Sequence, residues 1–140
     1  MEKARDCGLL LKQIHDEMSK NANNALRSQN ITLAQLEVLD LLDQAPEGRY
    51  SLKELEQLLH VAQSTAAGII SRLEQKGFVA GYGDAEDRRI KRVQITPAGV
   101  ECVRTALHHR AEAEEVLLSN LTEAERNLFY MLLKKVRDSL

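Results

Sequence analysis

Two short helical patterns near the middle of the chain are separated by only two residues, Val61-Ala62. The first pattern covers residues 51–60 and opens with a capping box, and the second covers residues 63–76. Two helices joined by so short a connection form a helix-turn-helix motif. This feature constrains the fold most strongly, because it fixes the order and spacing of two helices that must pack against each other.

The hydrophobic period changes from about 3.6 residues to two directly after the second helix. Gly77 stands where helices commonly end in the left-handed conformation. We expect a strand over 78–80, a turn over 81–87 and a second strand over 89–95, where alternate side chains share a face. The sequence therefore predicts a β-hairpin, here called the wing. Its tip carries four positive charges within five residues: Arg88, Arg89, Lys91 and Arg92.

Further helical patterns flank this central segment. They cover residues 2–28 and 33–44 before it, and 97–118 and 122–140 after it. Capping boxes begin at Thr32 and Thr122, and Thr96-Pro97 is an N-cap followed by proline at the first helical position. The predicted fold class is mainly α (α+β), a winged helix-turn-helix flanked by N- and C-terminal helices. We expect one domain over 1–140, with the winged unit at about 30–96.

The outer helices, at about 1–29 and 97–140, carry apolar stripes that nothing in so small a chain obviously covers. The stripe positions are Leu10, Ile14, Met18, Ala22, Ala25, Val100, Val103, Leu107, Ala111, Leu118, Leu128, Leu132, Val136 and Leu140. An amphipathic helix must bury such a stripe against another element. We therefore predict that these are dimerisation helices and that the chain forms a homodimer.

Composition excludes several other classes. The chain has 140 residues and a net charge of −2, and its 44% hydrophobic and 29% charged content is that of a globular protein. The longest apolar run has six residues, 128–133, so we expect no membrane partner. The charged N-terminus does not resemble a signal peptide, and two cysteines fit a reducing compartment, so we expect a cytoplasmic protein.

Four segments, in this order and at this spacing, resemble the MarR (multiple-antibiotic-resistance regulator) family. They are Ser51-Leu52-x-x-Leu55, Ile70-Ser71-Arg72-Leu73-Glu74-x-Lys76-Gly77-Phe78-Val79, Asp87-Arg88-Arg89 and Ile95-Thr96-Pro97-Ala98-Gly99. The resemblance implies a homodimeric transcription regulator that binds double-stranded DNA at a pseudo-palindromic operator. It also implies a recognition helix in the major groove, a wing in the minor groove, and in many members release of DNA by a small anionic aromatic effector. We expect a repressor of this kind.

The second helix of the motif is then the recognition helix. Its candidate DNA-binding residues lie on or near the exposed side: Gln63, Ser64, Thr65, Ala67, Gly68 and Arg72. The N-terminal residues of a recognition helix contact base edges, and glutamine can bond adenine through two hydrogen bonds. Many relatives carry arginine where this chain has Gly68. Close approach to the DNA backbone or tight packing within the protein would each explain that glycine.

The wing supplies the remaining candidate DNA-binding residues, which are Asp87, Arg88, Arg89 and Lys91. We expect Arg89 to enter a narrow A·T-rich minor groove, where negative potential is concentrated. Asp87 is expected to orient the Arg89 guanidinium through a bidentate pair, and Lys91 to contact phosphate. Relatives often have arginine where this chain has Gly81-Tyr82. Either the base of the wing is more flexible here, or Tyr82 replaces the lost contact.

Other functions compete with this interpretation. A winged helix can bind protein instead of DNA, and some similar proteins are thiol-based redox sensors, which draws attention to Cys7 and Cys102. We expect both cysteines to be structural, since reactivity requires exposure and a lowered pKa. Arg27 and Tyr50 are speculative residues for an effector pocket between the dimer helices and the winged unit.

Metal binding and catalysis are the remaining alternatives. The histidines are His15, His60, His108 and His109, and adjacent histidines on a helix point about 100° apart, so we expect no metal site. We find no nucleophile elbow, phosphate-binding glycine loop or zinc-protease helix motif. We therefore expect neither a cofactor nor an enzymatic activity.

Overall fold

A computed structural model describes residues 6–140 of the chain. The elements in chain order are α1 (Cys7–Ser28), α2 (Leu33–Gln44), a 3₁₀ turn (Pro46–Gly48), β1 (Arg49–Ser51), α3 (Leu52–Leu59), α4 (Gln63–Gln75), β2 (Val79–Gly83), β3 (Lys91–Ile95), α5 (Pro97–Leu117) and α6 (Glu123–Asp138). The chain divides into two compact units, of which the first ends at Leu107 and the second comprises His108–Leu140. The boundary between the two units therefore falls within α5.

Helix starts follow local capping chemistry. The predicted capping boxes at Thr32, Ser51 and Thr122 are all present, each with a hydroxyl that accepts a backbone N–H and a partner side chain that reaches back. At Ser51, for example, Oγ accepts from the Glu54 N–H at 3.1 Å, and the Glu54 carboxylate accepts from the Ser51 N–H at 3.0 Å. Such caps satisfy donors that the first helical turn leaves unpaired.

The predicted helix-turn-helix is α3–α4, and the fold is a winged helix. His60 ends α3 in the left-handed conformation, with φ 55°, and α4 starts three residues later. At the other end of α4, Gly77 has φ 78°, and the Phe78 N–H donates to the Leu73 carbonyl at 3.0 Å. These two left-handed residues turn the chain sharply on either side of α4 and direct it into the sheet.

A small antiparallel sheet completes the winged unit, with strand order β1-β3-β2. Residues 49–51 form the edge strand β1, in which Tyr50 pairs with Val93. The core under the sheet comprises fully buried side chains of α2, α3, α4 and β3, including Leu39, Leu55, Leu73 and Val93. This core fixes α4 against the sheet and leaves its opposite face outward.

The strand limits of the wing differ from the prediction. Residues 81–83 belong to β2, because Gly81 pairs with Val93 and Gly83 with Lys91, so the turn begins three residues later than the predicted 81–87. The second strand was predicted to begin at Arg89, but β3 begins at Lys91. The reason is a closing hydrogen bond from the Asp84 N–H to the Ile90 carbonyl at 2.9 Å, which places 84–90 in a loop.

Helix ends agree more closely with the sequence pattern. The predicted start of the first helix at residue 2 lies outside the described residues, and α1 begins at Cys7 after the N-cap Asp6. The start of α5 is capped as predicted, because Thr96 Oγ1 accepts from the Gly99 N–H at 3.1 Å. The last helix ends at Asp138 instead of continuing to Leu140. Among the described residues, no helix is both long and apolar enough to cross a bilayer.

Several stripe residues of the outer helices are exposed in the single chain. In the first unit, Leu10 is 59% and Met18 is 47% exposed. In the second unit, Leu128, Leu132 and Val136 are each at least half exposed. Such apolar faces are where protein interfaces form.

Candidate nucleic-acid interface

The outer face of α4 presents all six candidate residues of the recognition helix to solvent. Gln63, Ser64, Thr65, Ala67, Gly68 and Arg72 are exposed. On the opposite face Ala66, Ile70 and Leu73 are buried to 1% exposure or less, so packing orients the helix. Its N-cap is Ala62, which provides no side-chain cap for the N–H groups of the first turn. The face therefore offers hydroxyl, amide and backbone N–H donors at one end of the helix.

The predicted pair between Asp87 and Arg89 is present, although it lies in the wing loop and not on a strand. Arg89 Nε and Nη2 donate to the two Asp87 carboxylate oxygens at 3.0 Å each. These bonds lower the pKa of Asp87 below its ordinary value, chiefly through the side-chain bond from Arg89. The Arg89 side chain remains 91% exposed. Asp87 thus limits the orientations of a guanidinium that solvent surrounds.

Asp84 organises the wing loop, although it was not among the residues predicted from the sequence. Its Oδ2 accepts from the N–H groups of Glu86 and Asp87 at 3.1 and 3.2 Å, and its Oδ1 accepts from Arg92 Nε at 2.6 Å. The bond from Arg92 is the main cause that lowers the pKa of Asp84. Aspartate at the first position of a turn commonly bonds the backbone in this way, so the position after Gly83 was a usable signal.

The base of the wing is tied to its neighbours at two points. Lys91 Nζ on β3 lies 3.0 Å from Glu74 Oε1 on α4, and Arg49 Nη1 on β1 donates to the Tyr82 hydroxyl at 3.3 Å. A Cβ atom at Gly81 would lie 2.8 Å from Lys91 Cε and 3.0 Å from Glu74 Oε1, so a larger residue there would require these side chains to shift. Tyr82 therefore makes one bond at the base of the wing, and Gly81 leaves space beside the other.

The basic cluster is largely compensated by the chain's own carboxylates. Arg89, Lys91 and Arg92 each form an ion pair, with Asp87, Glu74 and Asp84 respectively. Among the described residues, Arg88 forms no ion pair, and it is exposed. With four basic and three acidic residues, segment 84–92 has a net charge of only +1. The sequence cluster thus overstates the charge that the wing presents to an anionic partner.

The two candidate effector residues differ in their surroundings. Arg27 is exposed in the last turn of α1, whereas Tyr50 is half-buried on β1 and packs against the core. Within the part of the chain that is described, no hydrogen bond links their side chains. The structure therefore does not join them into a site through a direct contact.

The two cysteines occupy opposite environments. Cys7 is exposed at the start of α1, and Cys102 is buried in α5. Burial raises the pKa of the Cys102 thiol, which disfavours the reactive thiolate. The Gln29 amide donates to the Cys102 carbonyl at 2.9 Å and holds the end of α1 near this position. Within residues 6–140, no group of three or more potential ligands could hold a metal ion.

Comparisons with known proteins agree with this geometry. The model of the MarR family matches residues 31–91. The uncharacterized HTH-type transcriptional regulator YwaE of Bacillus subtilis is 29% identical over 93 residues, which is 66% of this chain and 54% of YwaE. The chain spans little more than half the length of the first curated relatives that it matches.

Two solved structures are similar over almost the whole chain. The crystal structure of YusO from Bacillus subtilis is 26% identical, with a TM-score of 0.88 over 95% of this chain and 93% of that one. The crystal structure of a MepR–DNA complex from S. aureus is also 26% identical, with a TM-score of 0.82 over 94% of this chain and 98% of that one. The second of these structures is a protein of the same fold in complex with DNA.

Proposed function

The chain belongs to the MarR family, and from this premise we propose that it acts as a dimeric transcription regulator that binds specific DNA sequences. The observation that carries the proposal is the outward polar face of α4 beside a wing whose exposed Arg89 is held by Asp87. A helix of this kind enters the major groove with its N-terminal residues on base edges. The neighbour with bound DNA supports the same use of the fold.

In this proposal, Gln63, Ser64 and Thr65 contact base edges or phosphates at the start of α4. Glutamine has one donor and one acceptor in the geometry of an adenine edge, and the hydroxyls serve either kind of partner. Ala67 packs near a thymine methyl group, and Arg72 lies further along the same helix. The wing follows the adjacent minor groove, with Arg89 inserted into it and with Arg88 and Lys91 near the phosphates.

The exposed apolar faces of α1 and α6 support a homodimer. Leu10 and Met18 on α1, and Leu128 and Leu132 on α6, are exposed in one chain. A two-fold dimer would bury these faces and present two copies of α4 to successive turns of the duplex, about 34–36 Å apart. The operator is accordingly a pseudo-palindrome.

We further propose that DNA binding represses transcription in the cytoplasm and that a small anionic aromatic effector releases it. Arg27 would provide a positive charge for the effector and Tyr50 an aromatic surface. The proposed pocket lies between the dimer helices and the winged unit, since junctions of this kind favour concave sites.

A protein-binding winged helix is the alternative, and one observation favours it. Carboxylates of the same chain already pair with three of the four basic residues of the wing. A partner with both charge signs would suit such a surface better than a polyanion does.

Selection of duplexes from a random pool, followed by binding titrations at several salt concentrations, distinguishes the two functions. A DNA-binding regulator enriches a pseudo-palindrome, and the logarithm of its affinity falls linearly with the logarithm of salt concentration. Gln63→Ala should then reduce the preference for the enriched sequence, whereas Gln13→Ala on the exposed part of α1 serves as a control. Failure to enrich any sequence, together with affinity that salt does not change, would refute DNA recognition.

A further inference from the structure

An exposed glycine lies in the middle of α4, where no turn or helix cap requires one. Gly68 is the sixth of the 13 residues of the helix. Glycine is less favourable in a helix interior than every residue except proline, because its backbone loses the most freedom when it is ordered. A glycine at such a position therefore requires a separate explanation.

Packing within the chain does not explain Gly68. It is not one of the glycines with positive φ, and no atom lies within 4 Å of the place where its Cβ would stand. Gly81 and Gly99 differ in this respect, because a Cβ there would meet other atoms at 2.8 Å and 2.3 Å. An alanine would fit at position 68, so tight packing, one of the two explanations considered from the sequence, is eliminated.

The direction in which Gly68 faces is set by its neighbours. Two residues along a helix correspond to about 200° of rotation, and Ala66 and Ile70, two residues before and after, are each 1% exposed. Gly68 therefore faces directly away from the core. Ser64 and Ser71 lie one turn to either side and are exposed, with short side chains. Gly68 itself has no side chain to cover the helix backbone at this point, although the exposed Arg72 also lies one turn further along.

We propose that Gly68 allows the backbone of α4 to approach the DNA duplex closely and so sets the depth at which the recognition helix lies in the major groove. This inference rests on the proposed function. Deep insertion is needed because the Ser64 hydroxyl is short and must come within about 3 Å of its partner to form a hydrogen bond. A methyl group at position 68 would stand between the helix and the duplex.

The test compares Gly68→Ala with a matched exposed helical glycine. Gly8→Ala in α1 is the control, since the nearest atom to a Cβ there is at an ordinary 3.5 Å. The probes are a duplex enriched by the wild-type protein from a random pool and a scrambled duplex of equal length. Thermal unfolding and dissociation constants are measured for wild type and both variants.

We expect Gly68→Ala to raise the melting temperature by about 2–4 °C, as a favourable helix substitution does in a chain of this size. The same variant should bind the enriched duplex about tenfold more weakly, since one methyl group forced into a close contact disrupts it. Gly68→Leu should bind more weakly still. Gly8→Ala should bind both duplexes with wild-type affinity.

Equal binding by wild type and Gly68→Ala would overturn this inference and leave the proposed function intact. A lower melting temperature in Gly68→Ala would also overturn it, because the glycine would then have a structural role inside the chain. If the wild-type protein enriches no duplex, both the inference and the proposed function are wrong.

Discussion

Lys91 Nζ lies 3.0 Å from Glu74 Oε1, and the Lys91 side chain passes over the backbone of Gly81. The pair joins the last strand of the wing to α4, although the two residues are 17 positions apart in the chain. Both side chains are partly exposed, at 49% and 35%, so the pair contributes at most about 1 kcal/mol to the free energy of unfolding. If the wing binds DNA as proposed, the larger effect of the pair is to reduce the positive charge that Lys91 presents to the phosphates.

Neutralising Glu74 tests that effect. In Glu74→Gln the Lys91 ammonium loses its carboxylate and becomes available to phosphate, so affinity for enriched and scrambled duplexes should rise by about the same factor. Lys91→Ala should weaken binding to both duplexes equally. Lys12→Ala removes an exposed, ion-paired lysine of α1 and serves as the control. Titrations that show no change in Glu74→Gln would mean that Lys91 faces no phosphate.

Arg89→Ala tests the wing in the minor groove. The variant should bind the enriched duplex about 5- to 150-fold more weakly and reduce the salt slope by about one. The preference for A·T pairs at the flanks of each half-site should also decrease, because the side chain that senses groove width is absent. Titrations on duplexes with A·T or G·C flanks measure both quantities.

Asp87→Asn is the matched variant for Arg89, because it keeps the arginine and removes the bidentate pair. The net gain of one positive charge should raise the affinity for DNA, whereas the loss of orientation should reduce the discrimination between A·T and G·C flanks.

If Arg89→Ala changes neither affinity, salt slope nor flank preference, the assignment of Arg89 to the minor groove is wrong.

Contacts between residues that are close in the chain could be predicted from the sequence, whereas contacts between distant residues could not. Capping boxes were predicted correctly because their partners lie three residues apart, as Ser51 and Glu54 do. The stripe of α5 was predicted only in part, because Val103, which was expected to lack cover within the chain, is 1% exposed and belongs to the core. The Asp87–Arg89 pair was predicted because its partners are only two residues apart. The strand limits were not, because alternation at 89–95 is the same whether residue 89 pairs with β2 or lies in a loop.

Long-range contacts were inaccessible to the sequence pattern. Nothing local indicates that Glu74 faces Lys91, so of the ion pairs that the basic cluster forms only the one between Asp87 and Arg89 was predicted. The two explanations of Gly68 could likewise be separated only once the space around its backbone was known. The helical and strand periods located α4 and the wing in the sequence, whereas their electrostatics depended on the folded geometry.

The lowered pKa of Asp84 predicts a pH-dependent contribution to stability. A carboxylate whose pKa is lower in the folded state stabilises the fold above the unfolded pKa, about 3.9. That contribution is lost as the pH falls below this value and through the lowered pKa of the folded state. Asp84→Ala should therefore lower the melting temperature at pH 7, and its difference from wild type should shrink in the acidic range.

Glu86→Gln is the control for Asp84 because it lies on the same exposed loop. It should leave the melting temperature close to that of wild type both at pH 7 and in the acidic range. A difference between Asp84→Ala and wild type that stays constant down to pH 2 would show that the loss of packing, and not of the carboxylate, is responsible.

The two cysteines should differ in the rate at which a thiol reagent modifies them. Cys7 is exposed, whereas burial shields Cys102 and raises the pKa of its thiol. A thiol reagent at neutral pH should therefore modify Cys7 rapidly and Cys102 only as fast as the fold opens. Peptide mass spectrometry over time, with Cys7→Ser as the control, measures both rates. Rapid modification of Cys102 in the folded protein would restore the redox-sensor alternative.

The dimer is tested by charged substitutions in the exposed apolar faces. Leu132→Glu on α6 replaces a half-exposed leucine, so it should leave the folded unit largely intact but oppose burial against a second copy. Sedimentation at micromolar concentration should give a dimer for wild type and a shift toward the 15.8 kDa monomer for the variant. Leu33→Glu on α2 is the control, because Leu33 is 56% exposed but lies outside the proposed dimer helices. A wild-type monomer, or equal dimerisation of Leu132→Glu and wild type, would place the interface elsewhere or exclude it.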